Sequence, residues 1–125
     1  METRHKILML DDDPEVLNMY QEMLEQLPSR PEIRTASSGT RAMAMLEAED
    51  FRLLICDLKM PKLLGDEFYL KAKELRPSLG DRFIFVTGFA ADPNIALFFN
   101  RHEVKYLVKP FSIQVLIDCV KQLLC

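Results

Sequence analysis

The sequence predicts a doubly wound α/β domain around a five-stranded parallel sheet, and three observations predict it. Short runs of consecutive apolar residues alternate with longer amphipathic segments, strand then helix, five times along the chain. The runs have the length and continuous hydrophobicity of strands covered on both faces. Reactive side chains follow the ends of the runs, and in open parallel sheets ligands bind outside the carboxyl ends of the strands.

Ile7 to Leu10, Leu53 to Cys56 and Phe83 to Val86 are apolar at every position, which implies central strands. Glu32 to Ala36 and Val104 to Val108 mix in polar residues, which places them nearer an edge. The first helix opens at Asp13, Pro14 and Glu15: a side-chain cap, a proline where no amide partner is needed, and an acid near the positive end of the dipole. Leu17, Tyr20, Leu24 and Leu27 then recur on one face, and Pro28 and Pro31 bracket the stop. A second helix runs from about Gly39 to Ala48 and buries Ala42, Met45 and Leu46. A third, Asp66 to Leu75, carries Phe68, Ala72 and Leu75 inward before Arg76 and Pro77 end it. The fourth follows Asp92 and Pro93, from about Asn94 to Arg101, with an apolar stretch of less regular period. The last is capped by Ser112, stapled by Phe111 and Leu116, and turns Ile113, Leu116, Ile117, Val120 and Leu124 inward.

The 125 residues are the size of one domain, 1–125, with enough apolar residues (49%) for an independent core. A formal charge of -3 argues against direct nucleic-acid binding, which needs a positive footprint. Cys56, Cys119 and Cys125 match neither a disulfide framework nor a zinc site, so a reducing, cytoplasmic setting is expected. No apolar stretch approaches the roughly 20 residues of a membrane span.

Asp11 and Asp12 close the first strand, Asp57 the third, Thr87 the fourth, and Lys109 with Pro110 the fifth. Three carboxylates converging on one rim raise one another's pKa unless a cation neutralises them, and hard oxygen donors suit magnesium. The segments LMLDDDP, LLICDLKMP with Gly65 following, FVTG and YLVKPF, in this order and spacing, resemble the response regulator receiver family of two-component signal transduction across essentially the whole chain.

The resemblance implies the flavodoxin-like strand order 2-1-3-4-5, with helices on both faces of the sheet. It implies that Asp57 is the phosphoacceptor and that Lys109 and Thr87 contact the phosphoryl oxygens. Mg2+ would be held directly by Asp57 and Asp12, through water by Asp11, and by the backbone carbonyl of Lys59. The donor would be a phosphohistidine on a histidine kinase or phosphotransfer protein, and the product an acyl phosphate. Thr87 drawn inward would vacate space for Tyr106, changing the face of the fourth helix, fifth strand and fifth helix. That face would engage a downstream output domain or protein, or a second copy in a homodimer. Such a domain is not an enzyme beyond catalysing its own phosphorylation and dephosphorylation. Pro110 resembles the family's cis-proline, which would aim Lys109 at the site.

Other readings of single residues are plainer. Asp13 is a helix cap, Cys56 inert core, methionines 19, 23, 43 and 45 helix packing, and His5 and His102 lie outside the constellation. The sequence departs from the family at His102 and Glu103, where a Gly-Ala turn is usual, so the fourth helix should end unusually. Phe98 and Phe99 are adjacent, which predicts one buried and one exposed ring, and Leu64 should be exposed too. By the same resemblance, Lys59 and Phe89 would occupy the two variable positions that flank the in-line path, where bulk would slow hydrolysis. Two other classes compete. A haloacid-dehalogenase-like phosphatase could use Asp11 and Asp13 but leaves Asp57 idle, and a phosphorylation-independent interaction module would use the same fold. A flavodoxin-like phosphate binder is excluded, since three aspartates at the strand-one loop repel phosphate.

Overall fold

The computed structural model describes residues 5–57, 65–88 and 92–124. The chain runs β1 (Lys6–Leu10), α1 (Pro14–Glu25), β2 (Glu32–Ala36), α2 (Gly39–Ala48), β3 (Leu53–Asp57), α3 (Gly65–Leu75), a 3-10 turn (Pro77–Asp81), β4 (Phe83–Thr87), α4 (Pro93–His102), β5 (Lys105–Val108) and α5 (Ile113–Leu124). The strands pair in parallel in the order β2-β1-β3-β4-β5, so the two strands with mixed polarity are the edges.

Alternation of side chains along each strand divides the core in two. Leu8, Leu10, Leu54, Cys56, Phe83 and Phe85 meet Ala42 and Leu46 of α2, Phe68, Tyr69 and Ala72 of α3, and Phe98 and Phe99 of α4. Ile7, Met9, Leu53, Ile55, Ile84 and Val86 meet Leu17 and Leu24 of α1 and Leu116 and Val120 of α5. Each of the larger aliphatic and phenylalanine side chains among them contributes roughly 1.5–3 kcal/mol on removal from water. The caps are those anticipated. The Asp13 carboxylate accepts from the Glu15 amide at 3.0 Å, and the Ser112 hydroxyl accepts from the Val115 amide at 3.3 Å.

Several expectations are corrected. Leu75 is 39% exposed, because Tyr69 fills the inward position beside Phe68 and Ala72 while its hydroxyl donates to the Gly80 carbonyl. Met19 lies on the solvent side of α1. Phe98 and Phe99 are both buried, at 8% and 6% exposure. Helical neighbours are separated by about 100°, and α4 buries a stripe that wide: Phe98 turns to Tyr69 and Phe85, Phe99 toward β5. Leu64 lies outside the described residues. Although no glycine stands at the end of α4, the helix keeps a left-handed cap: Glu103 takes that conformation at φ 52°, its amide donating to the Phe99 carbonyl.

Leu46→Ala should cost about 3 kcal/mol in urea unfolding, whereas Leu75→Ala should stay within about 0.5 kcal/mol of wild type. Glu103→Gly should raise stability by about 1 kcal/mol in the same assay, because only glycine enters that backbone region without a Cβ penalty.

Candidate functional site

Register alone brings the reactive residues together. Leu10 pairs with Cys56, so Asp11 and Asp57, each the next residue, stand side by side. Asp57 pairs with Val86, so Thr87 lies one residue beyond on β4, and Thr87 pairs with Val108, so Lys109 lies one beyond on β5. The ladder continues at the rim through the Asp11 amide on the Ala36 carbonyl at 3.2 Å and the Lys109 amide on the Thr87 carbonyl at 2.7 Å.

Asp57 is 4% exposed, and its Oδ2 accepts from Lys109 Nζ at 2.8 Å. Asp11 and Thr87 are also buried. The Asp11 Oδ1 accepts from the Asp13 amide at 2.9 Å, which fixes the loop between β1 and α1. Burial pushes the Asp11 carboxyl up to about 7, aided by its hydrogen bond with Asp57 and by the Asp57 charge, against the Asp13 amide and Lys109. Burial alone would pull the Lys109 ammonium down, but its hydrogen bond to Asp57 and the charges of Asp57 and Asp11 outweigh it and hold it above its ordinary value. Two carboxylates share one ammonium here.

Asp12 lies beside this trio with its side chain in solvent. Among the described residues, no three His, Cys, Asp or Glu side chains are gathered as closely as a metal needs. The structure brings Asp57, Asp11 and Lys109 into contact and does not bring Asp12 in with them. Lys59 and Phe89 lie outside the described residues. The Lys109–Pro110 bond is cis, as anticipated. Asp13 is committed to its cap, so it offers nothing to a phosphatase-like pair with Asp11. Tyr106 is 45% exposed and stacks on Phe99 rather than lying inward. Cys56 is buried, and desolvation pushes its thiol far above its ordinary range, with the Asp57 and Asp11 charges adding to this. His102 packs on Tyr69 and Phe98, away from the rim.

The sequence reading missed the part played by Tyr20. Its spacing puts it in the core stripe of α1, but it also lines a small pocket beneath the rim with Asp11, Asp57, Met9, Leu17 and Val86. Burial raises its phenol pKa, and the charges of Lys109, Asp11 and Asp57 reach it. Its ring stacks on Phe111 at 6.2 Å, tying α1 to the segment after Lys109 and Pro110.

The family model described as the response regulator receiver domain matches residues 7–121. The chain belongs to the response regulator receiver family. The response regulator receiver protein CpdR of Brucella abortus is 30% identical over 122 residues, 95% of this chain and 96% of CpdR. The transcriptional regulatory protein CpxR of Klebsiella pneumoniae is 29% identical over 96% of this chain, which spans only 49% of CpxR. Among solved structures, a CheY-like receiver domain protein from Methanospirillum hungatei has a TM-score of 0.84 at 30% identity, over 96% of this chain and 93% of that one. This receiver is thus a domain of two-component phosphorelay signalling, a class of signalling domain rather than of enzyme. No helix among the described residues is long and apolar enough to cross a membrane.

A carboxyl that holds its proton more tightly in the fold than in the unfolded chain stabilises the fold fully below pH 3.8, its ordinary value, and that contribution is lost as pH rises through about 7. Thermal melts of the metal-free receiver should therefore show a lower Tm at pH 8 than at pH 6. Asp11→Asn should flatten most of that difference and add about 1 kcal/mol at pH 8.

Proposed function

We propose that this receiver accepts a phosphoryl group on Asp57 from a phosphohistidine of a histidine kinase or phosphotransfer protein, with Mg2+ at the same rim. The observation that carries the reading is the buried Asp57 carboxylate with Lys109 Nζ 2.8 Å away and Asp11 against it, at the carboxyl ends of three strands. Phosphoryl transfer to a carboxylate needs positioning and charge neutralisation more than covalent help. Asp57 is held at the rim by β3 and oriented by Lys109, and its carboxylate would be the nucleophile. As the phosphoryl arrives, the Lys109 ammonium can pass to one of its oxygens, and the Thr87 hydroxyl can donate to another.

By chemistry the rim suits a hard divalent cation, two buried carboxylates under-neutralised by one ammonium, and Asp12, next in the chain, would have to turn in from solvent to complete the set. Asp11, Asp12 and Asp57 would hold it, with the Lys59 carbonyl as the fourth protein donor. When bound, it supplies positive charge to the carboxylates and to the incoming phosphoryl oxygens.

The added charge biases Thr87 inward and lets Tyr106 follow, altering the α4-β5-α5 face for output. Leu97, Tyr106, Val108 and Val115 already expose apolar surface on those three elements. An output domain or protein, or a second copy of the chain, would bind there, in the cytoplasm and without nucleic acid.

Incubation with a small phosphodonor and Mg2+ should add one phosphoryl mass to the intact protein, and chelation or Asp57→Asn should abolish it. Lys109→Ala should slow the addition by roughly a hundredfold. A phosphoryl group mapped to another residue, or steady turnover of a phosphate ester through Asp11, would replace this reading with another.

A further inference from the structure

The Tyr106 ring does not stand free on the surface. It lies over Phe99 with ring centroids 4.0 Å apart and planes 6° from parallel. Phe99 is itself held from behind by Phe98 at 5.8 Å and Phe85 at 6.2 Å. Phe98 rests on Phe85 and on Tyr69 of α3, and Phe85 is the strand partner of Tyr106. A continuous set of rings therefore joins α3, β4, α4 and β5 and ends at Tyr106.

Two consequences follow from the exposures. Phe99 is only 6% exposed although its outer neighbour, Tyr106, is 45% exposed, so the tyrosine covers the phenylalanine. Removing Tyr106 from this position breaks the stack and opens the Phe99 face to water, and both changes oppose the move. A small residue in place of Phe99 would impose neither cost.

We propose that Phe99 is a positioning residue for Tyr106: the stack holds the tyrosine outward in the resting protein, so that phosphorylation of Asp57 must break it before the α4-β5-α5 face can change. The proposal rests on Tyr106 being the switch residue, and it adds what sets the resting position. A ligand shifts a two-state element only by its differential affinity, so a stack favouring the outward state lowers the apparent affinity for anything that favours the inward one. Phe99 then makes this receiver harder to switch than its site alone would dictate.

The test uses the whole chain carrying 3-fluorotyrosine, whose three tyrosines give separate fluorine signals. Tyr106→Phe assigns the relevant signal, and beryllofluoride with Mg2+ stands in for the phosphoryl group. Phe99→Leu keeps the apolar volume, and Phe99→Tyr keeps a ring to stack on, its added fourth signal being told from that of Tyr106 by Tyr106→Phe in the same background. In the resting protein, Phe99→Leu should move the Tyr106 signal, and Phe99→Tyr should leave it near its wild-type position. The beryllofluoride concentration that half-shifts the signal should fall about fivefold in Phe99→Leu, the size expected of one aromatic pair, and should return toward wild type in Phe99→Tyr. A resting Tyr106 signal unmoved by Phe99→Leu in a variant that melts cooperatively would overturn the positioning role, whatever the switch does. A wild-type signal indifferent to saturating beryllofluoride would instead sink the switch reading, while the resting-state comparison still reports on the stack.

Discussion

Two carboxylates and one ammonium crowd into a largely buried corner where β1, β3 and β5 end, and the electrostatics of the rim are set by that imbalance. In water such charges would be screened, but at a buried rim desolvation, with the Asp57 hydrogen bond and charge adding to it, makes Asp11 hold its proton up to about pH 7. Lys109, 2.8 Å from Asp57, supplies the only positive charge among the three. A site strained in this way costs stability in the resting chain and is suited to a cation and an anionic group arriving together. The same electrostatics that weaken the fold are what the proposed phosphoryl chemistry would use.

The scaffold converts register into chemistry. By strand parity, Asp11, Asp57 and Lys109 continue the rows that face α1 and α5, as Met9, Ile55 and Leu107 do. Thr87 continues the row of Phe85, toward α3 and α4, and Tyr106 lies across from Phe85 on β5. The Asp11–Asp57–Lys109 trio and Tyr106 therefore stand on opposite sides of the sheet, with Thr87 at the end of β4 between them. Under the proposed switch, a change at Asp57 would reach Tyr106 through Thr87 alone.

Much of this was legible in the sequence for a physical reason. Continuous apolar runs define central strands, the polar admixture in Glu32–Ala36 and around Tyr106 marks edges, and caps such as Asp13 and Ser112 act locally. Given those, the rim residues had to meet. Tertiary packing was less legible. Tyr69 displaced Leu75 from the core because its hydroxyl found the Gly80 carbonyl and its ring found Phe83, contacts that helical period cannot foresee. Phe98 and Phe99 both went inward because α4 lies over β4 and the exposed edge strand β5, where Tyr106 supplies the cover. Asp12 remains in solvent beside the two buried aspartates, and sequence adjacency did not say which of the pair would be buried.

The claim on which the account turns is that Asp11 is under electrostatic stress which a divalent cation relieves. A carbon-13 titration of the Asp11 carboxyl, with and without Mg2+, measures it directly. The account predicts a midpoint near pH 7 in the metal-free protein and a midpoint well below that when Mg2+ is present. An Asp11 that titrates like an ordinary exposed carboxylate and does not respond to Mg2+ would contradict it.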